Sequence, residues 1–126
     1  MVLVDSSVWI EYFKGAPSAL SLNLLIDSNN ICINDLILAE LIPSINHRKE
    51  NRLSELLLAV TKIPIDIKWN HLVYMQTENL RKGINRVGIA DLIIAQNVLE
   101  NDLELFALDS HFQLMSELHG VRMYKQ

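Results

Sequence analysis

Short runs of β-forming residues alternate along this chain with longer stretches of helical periodicity. That alternation restricts the fold to an α/β domain with a mainly parallel sheet covered on both faces. The β-type runs are residues 2–5, 31–33, 63–65, 104–108 and 121–124. Helical patterns cover residues 8–14, 18–28, 36–46, 51–60, 68–82, 89–100 and 111–118, giving about five strands flanked by about seven helices. Pro17 suits a helix start, Pro43 is expected to kink or end its helix, and Gly83 and Gly88 bracket a loop. With 126 residues and no internal repeat or low-complexity tract, the chain reads as a single domain spanning 1–126.

Half the residues are apolar and 21% are charged, a globular composition. The longest apolar runs, residues 56–60 among them, fall far short of the roughly 18 residues of a membrane span. Asp5 comes too early for a secretory leader to precede it, so the cytoplasm is the expected location. Cys32 is the single cysteine, which excludes an internal disulfide and a multi-cysteine zinc cluster; between Ile31 and Ile33 it reads as a small buried residue. A net charge of -4 argues against an ordinary electrostatic nucleic-acid binder. If the chain handles a polyanion, metal must neutralise some acids and basic residues must gather near the site.

In open parallel sheets ligands bind at the carboxyl ends of the strands, so acids placed there come first. Asp5 closes the first β-run and Asp109 follows the fourth, each before a helix; both also fit as N-caps. Glu40 lies within the apolar arc formed by Leu36, Ile37 and Leu41, which predicts a carboxylate facing the interior. Asp91 shares its side of a helix with Ile94, Ala95, Val98 and Leu99, close to the centre of the apolar face. An exposed acid near a helix N-terminus gains only about 0.3 to 1 kcal/mol, whereas burying an unpaired carboxylate costs several kcal/mol. Capping alone does not account for Asp91. Two carboxylates about 4 Å apart repel by roughly 4 kcal/mol at an effective dielectric of 20, so converging acids require a cation. Oxygen donors select magnesium or manganese over zinc or copper. His47, His71, His111 and His119 lack metal-ligand spacing and read as surface or core residues.

Four segments, Val-Leu-Val-Asp-Ser-Ser-Val-Trp-Ile, Leu-Ala-Glu-Leu, Gly-Ile-Ala-Asp-Leu-Ile-Ile-Ala and Leu-Ala-Leu-Asp-Ser-His-Phe, together resemble PIN domains, and among them the VapC-type ribonuclease toxins of VapBC toxin–antitoxin systems. They follow the family's order over nearly the whole chain. The resemblance implies a Mg2+ (or Mn2+) dependent endoribonuclease in which Asp5, Glu40, Asp91 and Asp109 are catalytic and hold the metal. It implies hydrolysis by an activated water, leaving a 5′-phosphate and a 3′-hydroxyl, with Ser6 supporting the metal-holding acids. It also implies an RNA substrate, inhibition of translation, a cognate VapB-type antitoxin and a homodimer, alone or within a heteromeric toxin–antitoxin complex. Ala107 and Asn34 depart from the pattern, standing where the family often has Thr or Ser.

Arg81, Lys82 and Arg86 precede Asp91 and are the better candidates for RNA phosphate contacts; Arg48, Lys49 and Arg52 read as a solvated helix end. Trp9, Tyr12 and Phe13 fit either the core or an aromatic edge for a base or partner helix. Two rival readings stand beside the nuclease: a non-catalytic PIN-like binding module, and a phosphoacceptor receiver domain with Asp66 as acceptor, against which Asp5 is followed by serines and Lys125 stands at the extreme terminus.

Overall fold

The computed structural model describes residues 1–126. Its sheet has strands β1 (Val2–Val4), β2 (Ile31–Cys32), β3 (Glu104–Phe106) and β4 (Arg122–Met123), all parallel, in the order β2-β1-β3-β4. The helices are α1 (Ser6–Phe13), α2 (Leu22–Asp27), α3 (Asp35–His47), α4 (Asn51–Leu58), α5 (Trp69–Arg81), α6 (Ile89–Glu100) and α7 (Ser110–His119), with a 3-10 turn at Pro17–Ala19 before α2.

The expected strand over residues 63–65 is the main departure. Only one bridge forms there, Ile33 to Lys62, with the Ile63 N–H donating to the Ile33 carbonyl at 2.8 Å. Pro64 then offers no N–H to continue a ladder, and its carbonyl turns instead to accept from Asn97 Nδ2 at 3.0 Å. The segment is pinned by side chains of α6: Gln96 Nε2 donates to the Asp66 carbonyl at 2.6 Å, and Gln96 Oε1 accepts from the Lys68 N–H at 3.0 Å. Of the two outcomes expected at Pro43, a helix end does not occur, since α3 continues through it to His47. Leu41 and Ile45 are buried on either side of it while Pro43 itself faces solvent, so packing holds the helix together where one backbone bond is missing.

β1 is fully buried and central, with Leu3 and Val4 packed against the side chains of all layers. Trp9 is part of that core, stacked with Phe13 at 5.7 Å and edge-on to Tyr12 at 6.0 Å. Tyr12 is half-buried and its hydroxyl donates to Asn23 Oδ1, so the aromatic cluster joins α1 to α2. No helix is long and apolar enough to cross a membrane.

Cys32 lies in the edge strand yet is wholly buried, and that burial pushes its thiol up to about 11. The thiolate is the reactive species, so native protein at pH 8 is expected to resist a thiol reagent. Labelling should follow global unfolding in a denaturant series; fast labelling of folded protein would show that the β2 edge opens on its own.

Candidate active site

The chain leaves β1 toward β2 on one side, and later fills β3 and β4 on the other. The order therefore reverses between β1 and β3, and at such a switch point the two outgoing loops part to leave a crevice at the carboxyl ends. Asp5 and Asp109 stand on its two sides. The Asp5 N–H donates to the Phe106 carbonyl at 2.9 Å, which locks the end of β1 to the end of β3.

Each acid is held by a donor, from its own turn for Asp5, Asp91 and Asp109 and from α1 for Glu40. Asp5 is 6% exposed and caps α1, its Oδ2 accepting from the Ser7 hydroxyl at 2.6 Å and the Ser7 N–H at 3.2 Å. Asp109 caps α7, its Oδ1 accepting from the His111 N–H at 3.0 Å. Asp91 sits in the first turn of α6, and its Oδ2 accepts from the Gly88 N–H at 3.3 Å. Glu40 lies one and a half turns into α3, and its Oε1 accepts from the Ser6 hydroxyl at 3.4 Å. In all four carboxylates one oxygen is used for orientation and the other has no protein partner.

One placement corrects the sequence reading. Glu40 is exposed rather than turned to the interior: Ile37 and Leu41 are buried, but the buried arc of α3 stops short of Ala39 and Glu40. Asp91 is half-buried on the side of α6 where Ile94, Ala95 and Val98 are buried, and its carboxylate folds back on the helix entrance.

The carboxylates nevertheless feel one another. Partial burial raises Glu40 above the usual carboxylate range, helped by the charges of Asp5 and Asp91 and opposed by the Ser6 hydrogen bond. Asp91 is raised too, first by burial and then by the charges of Asp109 and Asp5, against the Gly88 hydrogen bond and the nearby His111. None of the chain's ion pairs with lysine or arginine involves any of the four. His111 alone approaches, its Nδ1 lying 2.9 Å from Asp109 Oδ1 without the alignment of a hydrogen bond.

An uncompensated set of oxygen donors suits a hard divalent cation. No three side chains are closed into a cage. Magnesium does not ask for one, since it keeps several waters and takes one or two carboxylates. The donor chemistry and the mutual repulsion therefore fit an ion held between these acids.

Ser7 and His111 are the contacts the sequence reading missed. Ser7 Oγ donates to Asp5 and accepts from the Leu108 N–H at 3.1 Å, so one hydroxyl ties the first acid to the loop carrying the fourth. Its only sequence signal was the second serine of Asp-Ser-Ser. That bridge supplies a hydroxyl beside the β3 loop, where Ala107 offers none.

Of the basic candidates, Arg81 pairs with Glu78 at 2.7 Å, while Lys82 and Arg86 are exposed and unpaired. Arg86 has a left-handed backbone (φ 68°) in a loop held from behind by Gln76 Nε2, which donates to the Val87 carbonyl at 2.7 Å. Arg48 pairs with Glu50 beside a 250 Å³ cleft that Glu40 also lines. The receiver arrangement does not form: the Asp66 side chain is 83% exposed in a loop and faces Lys68.

A family model described as the PIN domain matches residues 2–118. Among solved structures the chain is similar to VapBC2 from Rickettsia felis bound to a DNA fragment from its promoter, at 20% identity and a TM-score of 0.77 over 100% of this chain and 99% of that one. DNA-bound VapBC from Salmonella typhimurium is similar at 20% identity and 0.76, covering 98% and 96%. FitAcB from Neisseria gonorrhoeae is similar at 17% and 0.76, covering 99% and 97%. No curated protein matches the chain. Likeness at these identities is one of fold.

The raised carboxylates have a consequence for stability. Because the folded state holds the Glu40 proton more tightly than the unfolded chain does, this group's contribution to stability falls as pH rises from the ordinary glutamate range through the raised one. Glu40→Gln should therefore raise the melting temperature of metal-free protein at pH 7.5 and leave it little changed at pH 4. A lower melting temperature for the variant at pH 7.5 would rule out repulsion at Glu40 as a source of instability.

Proposed function

The chain belongs to the PIN-domain family, and from that premise we propose that it is a metal-dependent endoribonuclease, the toxin of a VapBC-type pair that inhibits translation by cleaving RNA. The observation that carries this reading is the set of four acids at the switch point, each anchored through one oxygen and none paired with a lysine or arginine.

Asp5, Glu40, Asp91 and Asp109 would hold Mg2+, with Mn2+ as a substitute. Bound there, the ion favours deprotonation of a water and offsets charge on the scissile phosphate and leaving oxygen. The chain's own contribution is positional. Ser7 fixes Asp5 against the β3 loop, Ser6 restrains Glu40, and the Gly88 and His111 N–H groups set Asp91 and Asp109 before substrate arrives. In the reaction the water oxygen would bond to phosphorus as the P–O3′ bond breaks, the water losing one proton to solvent and the leaving O3′ taking one up, which leaves a 5′-phosphate and a 3′-hydroxyl.

Arg86 and Lys82, exposed ahead of α6, would meet RNA phosphates, whereas Arg81 would first have to release Glu78. A cognate VapB-type antitoxin would neutralise the acids with a basic side chain. The apolar groove between α5 and α6, where Trp69, Val73, Leu80 and Ile89 are exposed, supports an interface with another chain, whether antitoxin or a second copy in a homodimer.

Purified protein freed of any partner should cut total cellular RNA into discrete products with Mg2+ or Mn2+ and not with EDTA. Asp91→Asn should fold and lose about 10³-fold in rate, as expected when several kcal/mol of transition-state stabilisation are removed. Inactivity of folded, metal-loaded wild-type protein would favour a non-catalytic binding module. Arg86→Gly, which suits the left-handed backbone, should weaken RNA binding similarly for all sequences and reduce the salt slope by about 0.7. An unchanged slope would remove Arg86 from the RNA path.

A further inference from the structure

Two buried asparagines connect the helices that carry Glu40 and Asp91. Asn34 is 0% exposed and Asn97 is 3% exposed. Asn34 Oδ1 accepts from the Ile37 N–H at 2.9 Å, its Nδ2 donates to Asn97 Oδ1 at 2.9 Å, and Asn97 Nδ2 donates to the Pro64 carbonyl at 3.0 Å. The polarity of this relay is dictated from both ends. An N–H must meet an oxygen at Asn34, and a carbonyl must meet a nitrogen at Asn97, so neither amide can flip without placing two like groups face to face.

The Asn34–Asn97 contact is the one side-chain hydrogen bond joining α3, with its cap, to α6. Asn34 precedes Glu40 by six residues and Asn97 follows Asp91 by six, so each acid lies about 9 Å along its helix from the amide pair. The two helices thus run in opposite senses from a shared polar anchor to the acids, and Asp91 is near enough for its charge to act on Glu40. A Ser or Thr at position 34 would still cap α3, but its short hydroxyl would leave the Asn97 carbonyl oxygen buried and unpaired. The departure at Asn34 thereby acquires a role distinct from capping.

We propose that Asn34 and Asn97 are positioning residues for the metal site: their amide relay to Pro64 sets the separation of the α3 and α6 carboxylates and so the affinity for the divalent ion. This rests on the metal-dependent reading given above.

The test is Mn2+ binding by calorimetry to the whole metal-free protein, with thermal melting alongside, for wild type, Asn34→Thr, Asn97→Ala and the double variant. Val98→Ala, a cavity beside Asn97 that removes none of the relay's hydrogen bonds, serves as the control for lost stability. The relay requires Mn2+ affinity to fall about 10-fold to 100-fold in each amide variant, to fall no further in the double variant, and to stay within about twofold of wild type in Val98→Ala. Amide variants that fold and bind Mn2+ like wild type would overturn the relay alone, as would an equal loss in Val98→Ala. Wild-type protein that binds no Mn2+ would overturn the metal reading itself. Should the amide variants not fold, the side-chain NH2 resonances of Asn34 and Asn97 in wild type decide the matter. Mg2+ titration should shift both, and resonances indifferent to Mg2+ would reject the proposal.

Discussion

Four like charges gather where β1 and β3 lie side by side, and most of the molecule around them serves to keep them there. Repulsion would drive the acids apart if each were free to choose its rotamer. Instead Asp5 is tied down by Ser7, Asp109 by the start of α7, Asp91 by the entrance of α6 and Glu40 by Ser6. The backbone bond from Asp5 to Phe106 fixes the two central strand ends. Glu40 and Asp91 hold their protons above the ordinary range, first through partial burial and then through the charges of the neighbouring acids. On the proposed metal-dependent reading, the empty protein would give up some stability so as to be ready for a cation, a common exchange where function needs groups that the fold alone would not choose.

The architecture was largely legible because it rests on local periodicity. Alternating short and long apolar patterns do not depend on distant partners, and the acids after β1 and β3 were visible from strand ends alone. Where local pattern misled, a distant group was responsible. Residues 63–65 have the composition of a strand, but Pro64 ends the ladder and Asn97 takes its carbonyl. Glu40 lies near an apolar arc that closes just before reaching it. Ser7 could not be told from Ser6, since both follow Asp5 and only the approach of Leu108 separates their roles. Asn97, a polar residue inside the apolar run of α6, was a signal passed over; its meaning appears only beside Asn34, 63 positions away.

The acidic net charge and the proposed RNA substrate are compatible because charge here is arranged by place. The acids of the crevice have no lysine or arginine partner, whereas outlying acids such as Asp35, Glu78 and Asp102 are engaged by Lys62, Arg81 and Arg122. Lys82 and Arg86 stay free in the loop that leads into α6. That loop is held by Gln76 and by the buried Ile84, so its cations are presented from an ordered support.

The register of the central strand pair also bears on how the protein is made. Val2 pairs with Glu104 and Val4 with Phe106, so β1 finds its inner neighbour only after the long stretch of chain between them has been synthesised. Until then Asp5 has no Phe106 carbonyl to bind and no Asp109 beside it. A nascent or truncated chain lacking β3 lacks the crevice as well. Such a dependence on long-range pairing slows folding, and it confines the assembled acid cluster to chains in which β3 has been made.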